Sequence, residues 1–183
     1  MGLWNYYIRW RHSKGFGVHS PYAYRFVTEV LRPGPYGRYC YWDIEDKLEG
    51  RERNDYKFIK LIKFIIRLAL FLNSKRIISS PDLRISEIIA GILKIPIFNC
   101  VDNISKFSSK DLLIFEGSMD IYVLKEIIES GAAVLAIRPA DSIRSLLDKP
   151  ISKGLLLKDS QILILISRPE MEYISYDISL SPR

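Results

Sequence analysis

The chain has 183 residues, of which 48% are apolar and 26% charged. That balance excludes a disordered or collagen-like chain, and the length suits one domain with an added segment. Two cysteines (Cys40, Cys100) and two histidines (His12, His19), with no CxxC spacing, exclude a disulfide framework and a histidine-built metal site.

The net charge of +6 is uneven: residues 1–80 carry a net +8 and residues 81–183 a net −2. Such asymmetry fits a nucleic-acid or phosphate surface, and equally a set of solvated helical faces. The N-terminal stretch MGLWNYYIRWRHSKG lacks the apolar centre of a signal peptide. The longest apolar run, 61–72, is broken by Lys63 and Arg67 and is too short to span a bilayer. A cytoplasmic, reduced protein without a membrane segment is expected.

In chain order, residues 3–11 (LWNYYIRWR) form an aromatic and basic arm. Ser20 before Pro21 reads as a helix N-cap with proline in the first turn, opening a helix over 21–31 that stops before Arg32-Pro33-Gly34-Pro35. His19, beside it, is expected to bond backbone at the helix start. Residues 43–73 read as helical, with a weak point at Gly50. Lys57, Lys60, Lys63 and Arg67 fall at three- and four-residue spacing on one stripe, opposite a wide apolar face.

From residue 75 short apolar runs alternate with helical stretches: strands at 76–80, 95–101, 111–116 and 132–137, helices at 83–93, 118–130 and 141–147. Strands that are apolar throughout belong to a parallel sheet covered on both faces. The alternation predicts a doubly wound α/β fold. Three further strands at 154–158, 161–167 and 171–178 are joined by short connections and are expected to pair antiparallel.

The element GFGVHSPY at 15–22, continued by Tyr24-Arg25-Phe26-Val27, resembles an N-terminal motif of class I S-adenosylmethionine-dependent methyltransferases of Bacteroidetes. The stretch YCYWDIE at 39–45 is similar to that family's aromatic-acidic connection, and the tail ILILISRPEMEYISYDI to its C-terminal hairpin. His19, Ser20 and Pro21 are the specific part of the likeness. The resemblance implies a Rossmann-like methyltransferase sheet, mostly parallel with an antiparallel C-terminal hairpin. It divides the chain into an N-terminal helical arm at 1–42 and a trimmed Rossmann-like domain at 43–183. Only eight residues separate Asp102 from Asp111, so the family's third strand is expected to be missing.

The resemblance places cofactor contacts at Ser80, Asp82, Asp102 and Glu116. The family's loop after the first strand is glycine-rich, because backbone must approach the cofactor closely. Here that stretch, Ser79 to Ser86, holds no glycine and contains Pro81 and Arg84. The strand at 132–137 runs into Arg138 and Pro139 where the family often has paired acids. Arg84 and Arg138 both follow strands, and are expected either to line an anion-binding cleft on the carboxyl edge or to be solvated surface arginines.

Three functional readings stand. The first is a degenerate S-adenosylmethionine-dependent methyltransferase homologue, non-catalytic, with no cofactor, acting as a binding or structural protein. The second is an active methyltransferase with an atypical cofactor loop, using S-adenosylmethionine. The third is an RNA- or phosphate-binding module using the basic N-terminal part. The arm residues Trp4, Tyr6, Tyr7, Arg9, Trp10, Arg11 and Lys14 suit stacking on bases, or packing on their own domain or against a second copy in a homodimer. No catalytic residue and no metal site is expected.

Overall fold

The computed structural model describes residues 7–8, 11–12, 18–32, 41, 43–80, 83–99, 107–147 and 153–178. Helix α1, Pro21–Phe26, is capped as the sequence predicts: the Ala23 amide donates to the Ser20 hydroxyl at 3.3 Å, and proline occupies the first turn. It runs on as a wider turn, Val27–Leu31. His19 is exposed and, among the described residues, makes no side-chain hydrogen bond. Among the described residues the cap is made by the Ser20 side chain.

The helix expected over 43–73 is broken in its first third. Short 3-10 turns at Glu45–Lys47 and Gly50–Asn54 precede helix α2, Tyr56–Leu72. Two local features cause the break. Gly50 sits at φ +48°, and Asp55 starts a new helix by accepting the Lys57 and Phe58 amides, both at 3.0 Å. Breaking there turns Ile44 and Leu48 into the core, where each is 1% exposed.

Strand β1 (Arg76–Ser79), helix α3 (Arg84–Leu93), strands β2 (Ile97–Asn99) and β3 (Asp111–Glu116), helix α4 (Ile121–Glu129), strand β4 (Ala133–Ile137) and helix α5 (Asp141–Leu147) come next in the predicted alternation. Strands β5 (Gly154–Lys158), β6 (Ile162–Ser167) and β7 (Ile174–Asp177) end the described chain. All seven strands form one sheet, in the order β2-β1-β3-β4-β6-β5-β7. Only β6 runs against the rest. The expected antiparallel hairpin is β5–β6, but β7 does not extend it. It crosses to the far side of β5 and pairs parallel, Leu155 opposite Ile174. That crossing spans two strand spacings, about 10 Å, which the connection at 168–173 covers easily. Among the described residues β2 is an edge strand, and no strand lies between it and β3 in sequence.

Side chains alternate between the two faces. Ile77, Leu112, Ile114, Leu135, Leu155 and Ile164 join the core under α1, α2 and α3. Ile78, Leu113, Phe115, Val134, Leu156 and Leu165 join the core under α4 and α5. This is a three-layer α/β fold of the Rossmann-like kind, with helices on both faces of a mostly parallel sheet. Ala23, Phe26 and Val30 of the 21–31 segment belong to the first of these cores.

Tyr22 fastens that segment. Its ring meets Phe71 edge-on at 5.4 Å, and the Arg168 guanidinium lies 5.1 Å from its centroid. Burial pushes the phenol above its ordinary 10.0, although Arg168, donating to the hydroxyl at 3.4 Å, pulls the other way. A phenol whose folded value is raised contributes stability that is complete below the unfolded value and is lost as pH rises through the folded one. Tyr22→Phe should therefore flatten the loss of stability between about pH 9 and 12 in urea titrations. An identical alkaline slope in the two proteins would show that Tyr22 stays ionisable in the fold.

Candidate functional site

The sheet order places a switch point between β1 and β3: the chain leaves β1 for β2 on one side and returns to β3 on the other. Crevices at the carboxyl ends of strands beside such a point are where ligands bind in open α/β sheets. Register aligns Ser79 of β1 with Asn99 of β2 and Ile114 of β3, and Glu116 of β3 with Ile137 of β4. The candidate site is therefore the edge formed by Ser79, Ser80, Asn99, Glu116, Gly117 and Arg138.

On the β1 side the edge is stitched to the following helix. The hydroxyls of Ser79 and Ser86 lie 2.8 Å apart, and Ser79 Oγ is 3.0 Å from the Ser80 carbonyl. The Ser80 amide donates to the Ile114 carbonyl at 3.2 Å, bridging β1 to β3. Ser80 Oγ and Asn99 Oδ1 are buried and have no hydrogen-bond partner among the described residues. Leaving such an atom unsatisfied costs about 1–3 kcal/mol. Asn99 was not singled out from sequence. The signal available was a lone amide ending an otherwise apolar strand run.

On the β3 side Glu116 forms an ion pair with Arg138, the residue after β4. Gly117, at φ +72°, donates to the Ile137 carbonyl at 2.9 Å and accepts from the Ala140 amide at 2.8 Å. Arg138 takes φ +45°, and its amide donates to the Gln161 carbonyl at 2.6 Å, tying the end of β4 to the start of β6. The expected site acid is thus already partnered by the expected anion ligand.

Arg84 is equally engaged. It opens α3 and meets Glu49 at 3.0 Å, Glu87 at 3.2 Å and Glu52 at 3.5 Å. The hydrogen bond to Glu87, joined by the charges of Glu49 and Glu52, raises its pKa above the ordinary guanidinium value. An open pocket of about 380 Å³ beside it is lined by Asp46, Lys47, Glu49, Arg84 and Glu87. One arginine among three glutamates repels an anion. The expected shared cleft does not form: Arg84 belongs to an acidic cluster beside α3, and Arg138 to the Glu116 pair two strands away. The acids around Arg84 come from up to 35 residues upstream, which local sequence does not reveal.

Asp82 and Asp102 lie outside the described residues. Neither imidazole reaches the edge in the described contacts. His12 Nδ1 lies 3.1 Å from the Asp177 carbonyl, with its ring edge-on to Tyr176 at 5.3 Å, so the arm meets its own β7 there. Among the described residues no cluster of three His, Cys, Asp or Glu could hold a metal. None of their helices is long and apolar enough to cross a membrane.

The fit to S-adenosylmethionine is poor. Ser80 Oγ and Asn99 Oδ1 offer two polar contacts at the ends of β1 and β2. Against them stand a glycine-free turn bolted to α3 by Ser79 and Ser86, and a Glu116 carboxylate taken by Arg138. No family model, curated protein or solved structure matches the chain.

Proposed function

We propose that this protein is a non-catalytic relative of the Rossmann-like methyltransferases, serving as a binding or structural protein. The observation that carries the reading is the Glu116–Arg138 ion pair across the ends of β3 and β4. It neutralises the carboxylate that a cofactor or base role would need, at the edge where such sheets form their sites. A parallel sheet with one antiparallel strand near its end is the arrangement the resemblance implies, and supports the relationship. The glycine-free turn supports loss of the family's cofactor pose.

Calorimetric titration with S-adenosylmethionine and S-adenosylhomocysteine tests this directly. The expected result is no binding heat at millimolar ligand. Micromolar affinity would overturn it and favour the second reading, an active methyltransferase with an atypical loop. The unpartnered Ser80 Oγ and Asn99 Oδ1 are the observation on that side, and Asn99→Ala should then abolish the heat.

A further inference from the structure

Helix α2 carries an unbalanced surface. No acidic residue occurs within Tyr56–Leu72. Its inner side, including Ile62, Ile65, Ile66 and Leu68, is fully buried in the core. Its outer side presents Lys57, Lys60, Lys63 and Arg67, over about 15 Å of helix. Among the described residues no carboxylate pairs with any of these four cations. That contrasts with Arg25, Arg76, Arg84 and Arg138, each of which has at least one. Asp55, at the head of the helix, is engaged by the Lys57 and Phe58 amides.

Tyrosines are threaded between the cations. The Lys60 ammonium lies 4.2 Å from the ring centroid of Tyr56, a residue 65% exposed. Lys63 and Arg67 lie 5.1 and 6.0 Å from the Tyr41 centroid. Arg67 also donates to the Tyr41 hydroxyl at 2.8 Å and to the Val30 carbonyl at 2.7 Å, fixing that end of the row.

We propose that this face of α2, with Lys57, Lys60, Lys63 and Arg67 flanking Tyr56 and Tyr41, is a docking surface for single-stranded nucleic acid. Cations spaced along a helix track a phosphate backbone, and an exposed ring with a cation on one side takes a base on the other. A duplex would offer such a ring no base face. An anionic bilayer fits less well, because a helix held at a lipid surface inserts its apolar side, and here that side is the protein core. The surface shares no residue with the carboxyl-edge site, so the nucleic-acid test and the cofactor titration read different side chains.

The test is fluorescence anisotropy with a labelled oligouridylate across a salt series. Three or four phosphate contacts predict a slope of log K against log salt of about −2 to −3, a fall in affinity of roughly 20- to 50-fold between about 50 and 200 mM salt. The triple variant Lys57→Gln/Lys60→Gln/Lys63→Gln should bring the slope below about 1 in magnitude. Tyr56→Ala should weaken binding about fivefold or more with the slope kept, and Tyr56→Phe should restore it. Tyr56 and Lys57 are exposed and Lys60 and Lys63 half-buried, and circular dichroism of each variant checks that the fold is kept. Lys60→Glu alone gives a second reading of the same contact. Absence of binding, salt-independent binding, or affinity unmoved by the lysine variants overturns the proposal. Binding to phosphatidylserine vesicles but not to the oligonucleotide overturns it in favour of a lipid surface.

Discussion

Gly154→Ala should remove about 3–6 kcal/mol of stability, a large part of what a domain this size possesses. Gly154 opens β5 opposite Ser167 of β6, at φ +139°, a backbone region closed to residues with a Cβ. A Cβ there would fall inside contact distance of the Ile166 carbonyl oxygen and 2.9 Å from the Arg168 nitrogen. Both are backbone atoms of the partner strand's end, so no rotamer change relieves the clash. The Arg168 amide also donates to the Lys153 carbonyl at 2.8 Å, closing the hairpin at the same place. Gly91 is the internal control. It lies within α3 with nothing within 4 Å of an added Cβ, and Gly91→Ala should stabilise by about 0.5–1 kcal/mol. Urea midpoints of the two variants should therefore move in opposite directions. A Gly154→Ala midpoint at or above the parent's would show that the chain enters β5 by another path.

Arg76→Ala is expected to cost about 3–5 kcal/mol. Asp111 begins β3 with a side chain 1% exposed. It receives Arg76 Nε at 2.8 Å and a second guanidinium nitrogen at 2.5 Å, and its Oδ2 also accepts the Ser108 amide at 2.7 Å. Truncating Arg76 strands a buried carboxylate with one amide for company. Arg76→Lys should lose less, since one ammonium keeps the charge but not the paired contact. Arg76→Met with Asp111→Leu should recover most of the loss, because removing both charges ends the desolvation penalty. Denaturation of these three variants checks the order. Equal losses for Arg76→Ala and the double variant would mean that packing, rather than an unpaired charge, sets the cost.

This pair also shows where sequence reading stops. Arg76 and Asp111 are 35 residues apart and meet only because β1 and β3 are neighbours. Features governed by near neighbours were legible. The Ser20-Pro21 cap, the apolar runs of a sheet covered on both faces and the short helix at 141–147 all depend on a few adjacent residues. The stretch 43–55 misled because its charged composition suits a helix, whereas the burial of Ile44 and Leu48 requires the chain to break. The partner of β7 misled because a short connection restricts direction but not which neighbour is reached. At the candidate site, Glu116 and Arg138 were both visible as edge residues, but their mutual pairing needed the β3–β4 register.

The place of β6 has a consequence for the order in which the chain is made. β5 pairs only with β6 and β7, both of which lie after it in the sequence. On the ribosome the block β2-β1-β3-β4 can close while β5 has no neighbour, and the free edge of β4 waits for β6. β4 ends at Ile137 and β6 at Ser167, so at about 5–20 residues per second the edge of β4 waits roughly 1.5–6 s, and β5, complete at Lys158, waits for about the last 0.5–2 s of it. During that interval the apolar run Leu155-Leu156-Leu157 and the edge of β4 are both open to other nascent chains. β6 seals the interior of the sheet between β4 and β5, and β7 then covers the rim beyond β5, so a chain cut off before Ile162 is left with the edge of β4 exposed.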